Sequence, residues 1–435
     1  MTYASLSPSS PSSLRSAPEQ VLTEIALQDS QLRAWAYLAR EPVFSPPAHG
    51  ALAGLHFGVK DVLDVAGMPT LCGSPLPVPV PQARDAQCVA RLRQAGATPI
   101  GKTVTAEFAH VTPGPTCNPH RYEHTPGGPS SGSAAAVAAG MVPFALGTQT
   151  GGSMIRPAAY CGVPGFKPSY GRVSREGMRV MCPSLDAIGW FARDMSMVRC
   201  VAQVLLSAND AAPAPKAMPR IAVLHEHPGF ALAPDARRVL DTAASDLQRH
   251  GHGLDTVQPP ATTQQLITTH SVLVRHEMAL QLQHLTPSQR RHLSPALQAT
   301  VQQGQAIATE LYQSSLQWQA QERSAWCRYF GDADLVLTTG AISAAPQGLA
   351  HTGESGFNKG WSVLGWPCLH LPTGWSDNGL PLGVMLVARP GWDHALLAWA
   401  EALHPLMDRR AKTSATAPAI APPIAPASAP ATAPS

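Results

Sequence analysis

The 435-residue chain reads as an α/β protein. Short apolar runs with strand character alternate with helical stretches along most of its length. Apolar residues make up 44% and charged residues only 14%, ample material for a large core. Between residues 127 and 156 a helix of small residues is followed at once by an apolar strand, a pairing that lets helix backbone lie close to a sheet.

The elements follow in order. Residues 1–16, rich in Ser and Pro, are expected to be disordered and show no apolar core of a signal peptide. Residues 18–39 carry Val21, Ile25, Leu32 and Leu38 at helical spacing and predict an amphipathic helix with Pro18 in its first turn. Residues 55–65 read as strand and turn, 85–95 as helix, and 98–100 as a short buried strand. Residues 133–139 are nearly all alanine and predict a helix, 142–146 a strand, and 147–153 (GTQTGGS) a tight loop. An Ala-Pro linker at 208–219 precedes a strand at 220–224 and a helix at 234–250. Residues 262–329 are Gln-rich and largely helical, and 335–339 resume the sheet. The expected organisation is one domain over 17–412 with a helical insertion at about 262–330. Residues 413–435 repeat Ala-Pro and predict an extended, flexible tail.

Composition narrows the function classes. A formal charge of +3, with basic residues scattered and their densest cluster at Arg409-Arg410-Ala411-Lys412, gives no nucleic-acid footprint. No apolar run reaches the roughly 18 residues that span a bilayer. The eight cysteines stand singly, without a CxxC pair, and no HExxH is present, so metal-site spacing is absent. Dispersed cysteines suit a reducing cytoplasm, the expected location.

Two motifs match by letter only. Gly96-Ala97-Thr98-Pro99-Ile100-Gly101-Lys102-Thr103 has the P-loop pattern, but a helix precedes Gly96, and the strand candidate lies inside the supposed loop. Gly128-Pro129-Ser130-Ser131-Gly132 has the form of a nucleophile elbow, but a polar turn stands where the elbow needs a strand.

The informative stretch is Gly127 to Arg156, GGPSSGSAAAVAAGMVPFALGTQTGGSMIR. Successive backbone N–H groups of Thr150, Gly151, Gly152 and Ser153 can converge on one point and hold an oxyanion, with the Ser153 hydroxyl beside them. Lys60, in GLHFGVKDV, has apolar neighbours Phe57, Val59, Val62 and Leu63 that predict burial, and burial favours the free base. Taken alone, Ser153 could be a turn serine and Lys60 a lysine at a strand end.

Together with CGVPGFKPSYGR at 161–172, SLDAIG at 184–189, and the FNKGW and LGWP blocks after residue 356, the stretch resembles the amidase signature family. Those hydrolases use a Ser-Ser-Lys triad on a mixed sheet covered by helices on both faces. The resemblance runs from about residue 19 to about 403. It implies amide hydrolysis through a Ser153 acyl-enzyme with Lys60 as base, a small-molecule amide as partner and no cofactor, metal, nucleic acid or membrane; a homodimer is left open. Asp186 is given a structural role in its turn.

One position departs from the family. Where its members keep the middle serine, which relays a proton and follows a glycine through a cis peptide bond, this chain has Pro129. The resemblance therefore implies a cis Gly128-Pro129 bond without the relay hydroxyl, and proline is the residue most tolerant of that geometry. Ser130 is the nearest hydroxyl in sequence and a substitute relay to consider. Arg156, one turn past Ser153, either holds the loop through an ion pair or binds a substrate carboxylate, as an arginine at this offset does in the stand-alone, small-amide members resembling malonamidase. Two alternatives stay beside amide hydrolysis. One is a weakened or inactive relative that binds a ligand without turnover, motivated by Pro129. The other is the amidase component of a tRNA-dependent amidotransferase, which the GTQT loop and shorter chain resemble less.

Overall fold

The computed structural model describes residues 18–39, 50–76, 79–206 and 215–410. The expected disordered N-terminus, most of the Ala-Pro linker and the Ala-Pro tail lie outside the described residues.

Among the described residues, twelve α-helices and eleven strands follow one another in the alternation the sequence predicts. In chain order they are α1 (Pro18–Leu32), β1 (Trp35–Leu38), β2 (His56–Lys60), α2 (Gln87–Gln94), β3 (Thr98–Thr103), α3 (Ser131–Ala138), β4 (Phe144–Gln149), α4 (Ile155–Cys161), β5 (Gly165–Lys167), β6 (Ala187–Ala192), α5 (Met195–Leu205), β7 (Ile221–Leu224), α6 (Pro234–Arg249) and β8 (Leu254–Val257). Four helices then leave the sheet: α7 (Thr263–Gln281), α8 (Pro287–Arg290), α9 (Pro295–Gln305) and α10 (Thr309–Tyr329). The chain returns through β9 (Leu335–Thr339), α11 (Gly356–Leu364), β10 (Cys368–Trp375), β11 (Pro381–Val387) and α12 (Asp393–Met407).

All eleven strands form one mixed sheet in the order β1-β3-β2-β4-β6-β5-β10-β11-β9-β7-β8. Strands β3, β2 and β4 are parallel to one another, as are β9, β7 and β8, and the middle of the sheet is antiparallel. Because successive strand residues face opposite ways, burial alternates between two helical layers. Phe144 and Leu146 of β4, Trp190 of β6, Val223 of β7 and Leu386 of β11 pack on the side of α2, α5, α6 and α12. Their neighbours Ala145 and Phe191 meet α1, α3 and α4, while Ala222, Val387 and Met385 meet α7, α10 and α11. The sheet is therefore covered on both faces.

Three elements differ most from the sequence expectation. Helix α1 stops at Leu32 instead of running to residue 39. The Asp29 carboxylate accepts the N–H groups of Ala34 (2.6 Å) and Trp35 (3.3 Å), Arg33 turns into the left-handed region (φ 54°), and residues 35–38 join the sheet beside β3. The strand expected at 98–100 continues to Thr103, and that expected at 142–146 runs Phe144–Gln149, taking in the first part of the expected loop. In both cases the register is set by neighbouring strands, which local propensity does not contain.

The P-loop-like segment is sheet: Lys102 is fully buried on β3, and its Nζ donates to Asp61 Oδ1 (3.0 Å), Pro69 O (3.0 Å) and Thr70 Oγ1 (2.9 Å). Six cysteines are buried, Cys200 and Cys327 are partly exposed, and none is in a disulfide. No helix among the described residues is long and apolar enough to cross a membrane.

Candidate active site

Strands β2 and β4 are parallel neighbours, and their register pairs Val59 with Leu146. Lys60 and Thr148 thus stand together at the carboxyl ends of adjacent parallel strands, the edge where α/β sheets commonly place ligands. Lys60 is completely buried, and its Nζ donates to Thr148 Oγ1 at 2.7 Å and lies 3.5 Å from the Thr148 carbonyl. Burial pulls the Lys60 ammonium down to about 7, against the opposing pull of Asp186 and Cys72. At neutral pH a large share of Lys60 is a free amine.

Beyond β4 the chain turns sharply and is pinned from several sides. Gln149 Oε1 accepts the N–H groups of Met154 (2.9 Å) and Ile155 (3.1 Å), while its Nε2 donates to Ser362 Oγ (3.1 Å). Ser362 in turn donates to Gly151 O (2.7 Å). Thr150 Oγ1 donates to Asp186 Oδ1 (2.6 Å), and His270 Nε2 lies 3.2 Å from Thr150 O. The other Asp186 oxygen accepts from Met181 and Cys182, each at 2.9 Å, so Asp186 organises its turn and steadies the loop as well. Gly152 is tightly enclosed: a Cβ there would lie 3.2 Å from both Asn358 and Ser355, so those side chains would have to give. The outcome is a rigid loop in which the N–H groups of Gly151, Gly152 and Ser153 have no acceptor among the described residues. Such preorganised donors can stabilise developing negative charge without rearranging.

A cavity of about 450 Å³ opens over this loop. Pro129, Thr150, Gly151, Gly152, Ser153 and Arg156 all line it, with helices α7 and α9 forming the wall opposite. The structure therefore brings together Ser153, the glycine loop expected to hold an oxyanion, Pro129 and Arg156. Lys60 sits behind the loop, in contact with Thr148. Ser130 lies there too, but its hydroxyl is engaged with the backbone of Thr148, donating to the carbonyl (3.1 Å) and accepting the N–H (3.3 Å). The Gly128–Pro129 bond is cis.

Arg156 is buried, and burial lowers its ordinarily very high pKa in spite of Tyr160 and Glu354. Its Nη2 donates to Gly128 O (2.6 Å) and Thr352 Oγ1 (2.9 Å), while Nε and Nη1 have no partner among the described residues. It holds the Gly128–Pro129 segment through a carbonyl in place of an ion pair, and two of its nitrogens are buried without a partner among the described residues. Sequence reasoning missed Thr148, His270, Arg275 and Lys359. Only Thr148 carried a local signal, its place at the head of the loop; the others reach the cavity from distant helices.

Residues 20–397 match the family model described as Amidase. The chain belongs to the amidase family. Among curated relatives, a glutamyl-tRNA(Gln) amidotransferase subunit from Roseiflexus castenholzii is 30% identical over 90% of this chain and 92% of that protein. The same enzyme's subunit from Treponema pallidum is 52% identical, but the match spans 32% of this chain and only 29% of that relative. Of the solved structures, one described as an amidase superposes with a TM-score of 0.78 at 28% identity, covering 90% of this chain and 97% of that one. The amidase-family fold thus extends through the four-helix excursion that walls the cavity.

Proposed function

We propose that this amidase-family chain hydrolyses the C–N bond of a small amide through an acyl-enzyme on Ser153. The observation that carries the reading is the pairing of a buried lysine near neutrality with a serine set among unpaired N–H groups. Ser153 Oγ bonds to the amide carbon, and the carbonyl oxygen, now negative, is held by the N–H groups of the loop. Lys60 is the ultimate acceptor of the serine proton, which is passed to the nitrogen as the C–N bond breaks. Water then attacks the acyl carbon, and Ser153 recovers its proton as the acid departs. Pro129 brings no hydroxyl to the wall, so Lys60 works without the family's relay and turnover is slow.

The test is an amide panel assayed for released amine with the full chain between pH 5 and 9. Because the base form of Lys60 is required, kcat/KM should rise about tenfold per pH unit at acidic pH and level off above about 7. A profile flat from pH 5 to 8 would remove Lys60 from the proton path.

Arg156 is proposed to bind a substrate carboxylate, supported by its two unpartnered nitrogens in the cavity wall. Amides with a carboxylate should then be preferred over neutral analogues. Arg156→Met should collapse that preference by roughly tenfold or more, the scale of a charge-assisted hydrogen bond. An unchanged ratio of the two substrates would leave Arg156 with the Gly128 carbonyl alone.

A second reading, a relative that binds such ligands without turnover, is favoured by Pro129 alone. It is upheld if carboxylated amides bind and none is cleaved. The third, a component of a tRNA-dependent amidotransferase, draws on the likeness to the amidotransferase relatives. Amide hydrolysis by this chain unaided would count against it.

A further inference from the structure

The walls of the Ser153 cavity carry three cations, Arg156 on α4, Arg275 on α7 and Lys359 on α11, and no aspartate or glutamate. Like charges gathered on one small volume repel: burial lowers the Lys359 pKa, Glu354 opposes that, and Arg156 and Arg275 each add a smaller downward push. Glu354 lies outside the wall, is exposed, and its carboxylate accepts the N–H groups of Ser355 and Gly356, each at 2.7 Å. The side chains of Arg275 and Lys359 make no hydrogen bond or ion pair to other described residues. The two histidines of the wall add no charge near neutral pH, since burial lowers His110 to about 4 and His270 to about 3.

The cations also fall into two stations. Arg156 is buried beside the glycine loop, and its Nε and Nη1 are buried there without a partner among the described residues. Lys359 is partly buried and Arg275 is exposed at the rim, on helices that belong to other parts of the wall. Apolar Val274, Met278, Ala296 and Ala299 line the same space. A cavity of about 450 Å³ is larger than a minimal amide needs and suits an extended small molecule.

Building on the amide-hydrolase reading above, we propose that the substrate is an amide carrying two anionic groups joined by a short aliphatic frame, one bound at Arg156 and the other between Lys359 and Arg275. Hydrolysis consumes one water per C–N bond, giving a carboxylate from the acyl side and a protonated amine from the other.

Four amides of similar length test this with the full chain: succinylglycine with two carboxylates, N-propylsuccinamate and butyrylglycine with one each, and N-propylbutyramide with none. Succinylglycine should show the highest kcat/KM, by roughly tenfold over either singly charged amide, the scale of one charge-assisted contact. Lys359→Met and Arg275→Met should each shrink that margin, chiefly by raising KM. Calorimetry provides a readout independent of turnover. Adipate should bind the wild-type chain more tightly than hexanoate, and Lys359→Met should erase the difference in a protein of unchanged circular dichroism. Arg275→Met, at an exposed position, repeats the measurement where folding is least at risk. If adipate binds no better than hexanoate while neutral amides are cleaved, the two-anion inference is overturned and the hydrolase reading stands. If adipate is favoured and no amide is cleaved, the anion stations stand and the hydrolase reading fails.

Discussion

Ser153→Ala is expected to abolish amide hydrolysis through an acyl-enzyme, lowering turnover on the order of 10⁶-fold, the scale of a lost serine nucleophile. Ser153 is the hydroxyl adjoining the three unpaired N–H groups of the loop, and it makes no side-chain hydrogen bond to the described residues that would hold it elsewhere. Of the other reactive groups in the wall, Cys182, Thr150 and Ser271 are engaged or inert. Burial keeps the Cys182 thiol protonated, with Glu277 and Asp186 adding to the effect, and the thiolate is the form that attacks. Thr150 gives its hydroxyl proton to Asp186 (2.6 Å), and Ser271 gives its own to the Ile267 carbonyl (3.1 Å). Loss of a nucleophile leaves only binding and oxyanion donors, which cannot form the acyl-enzyme. Near-parental turnover by the variant, with contamination excluded, would show the nucleophile to be elsewhere.

Pro129→Ser should act in the opposite direction and raise turnover, with a gain approaching about 10²–10⁴-fold, the usual worth of a positioned acid–base group. Pro129 lines the cavity together with Ser153, so a serine there would place a hydroxyl where the chain now has ring carbons. The contacts that hold the segment are made by backbone carbonyls: Arg156 Nη2 donates to Gly128 O (2.6 Å) and Ala106 N–H to Pro129 O (3.1 Å). A serine keeps both. The base itself is in place, with Lys60 Nζ held at Thr148 Oγ1 (2.7 Å). Kinetics on a variant with an unchanged melting temperature decide the matter, and unchanged or lower activity would contradict the relay account.

Much of this site is legible in sequence because it is local. From Gly127 to Arg156 a single stretch supplies the glycine loop, Ser153, Pro129 and Arg156, and Lys60 is the one proposed catalytic group from another segment. Its burial could be read from the apolar residues around it. What local reading cannot contain is partnership across the fold. The Thr148 hydroxyl meets Lys60 only because β2 and β4 lie side by side. His270, Arg275 and Lys359 face the cavity only because α7 and α11 pack over the loop. Ser130 illustrates the converse: adjacent to the relay position in sequence, it is turned to the Thr148 backbone. The end of α1 was obscured for a similar reason, since helical spacing persists past Leu32 while Asp29 captures the N–H groups of Ala34 and Trp35. The α/β class itself needed no such contacts, because alternation of strands and helices is written along the chain.

The central claim, a Ser153 nucleophile activated by Lys60, is tested most directly by the rate at which a fluorophosphonate labels the protein, followed by mass spectrometry between pH 5 and 9. The account predicts a single adduct on Ser153, forming faster as pH rises through about 7 and strongly slowed in Lys60→Met. An adduct on another residue, or labelling of Ser153 at a rate indifferent to both pH and Lys60, would contradict it.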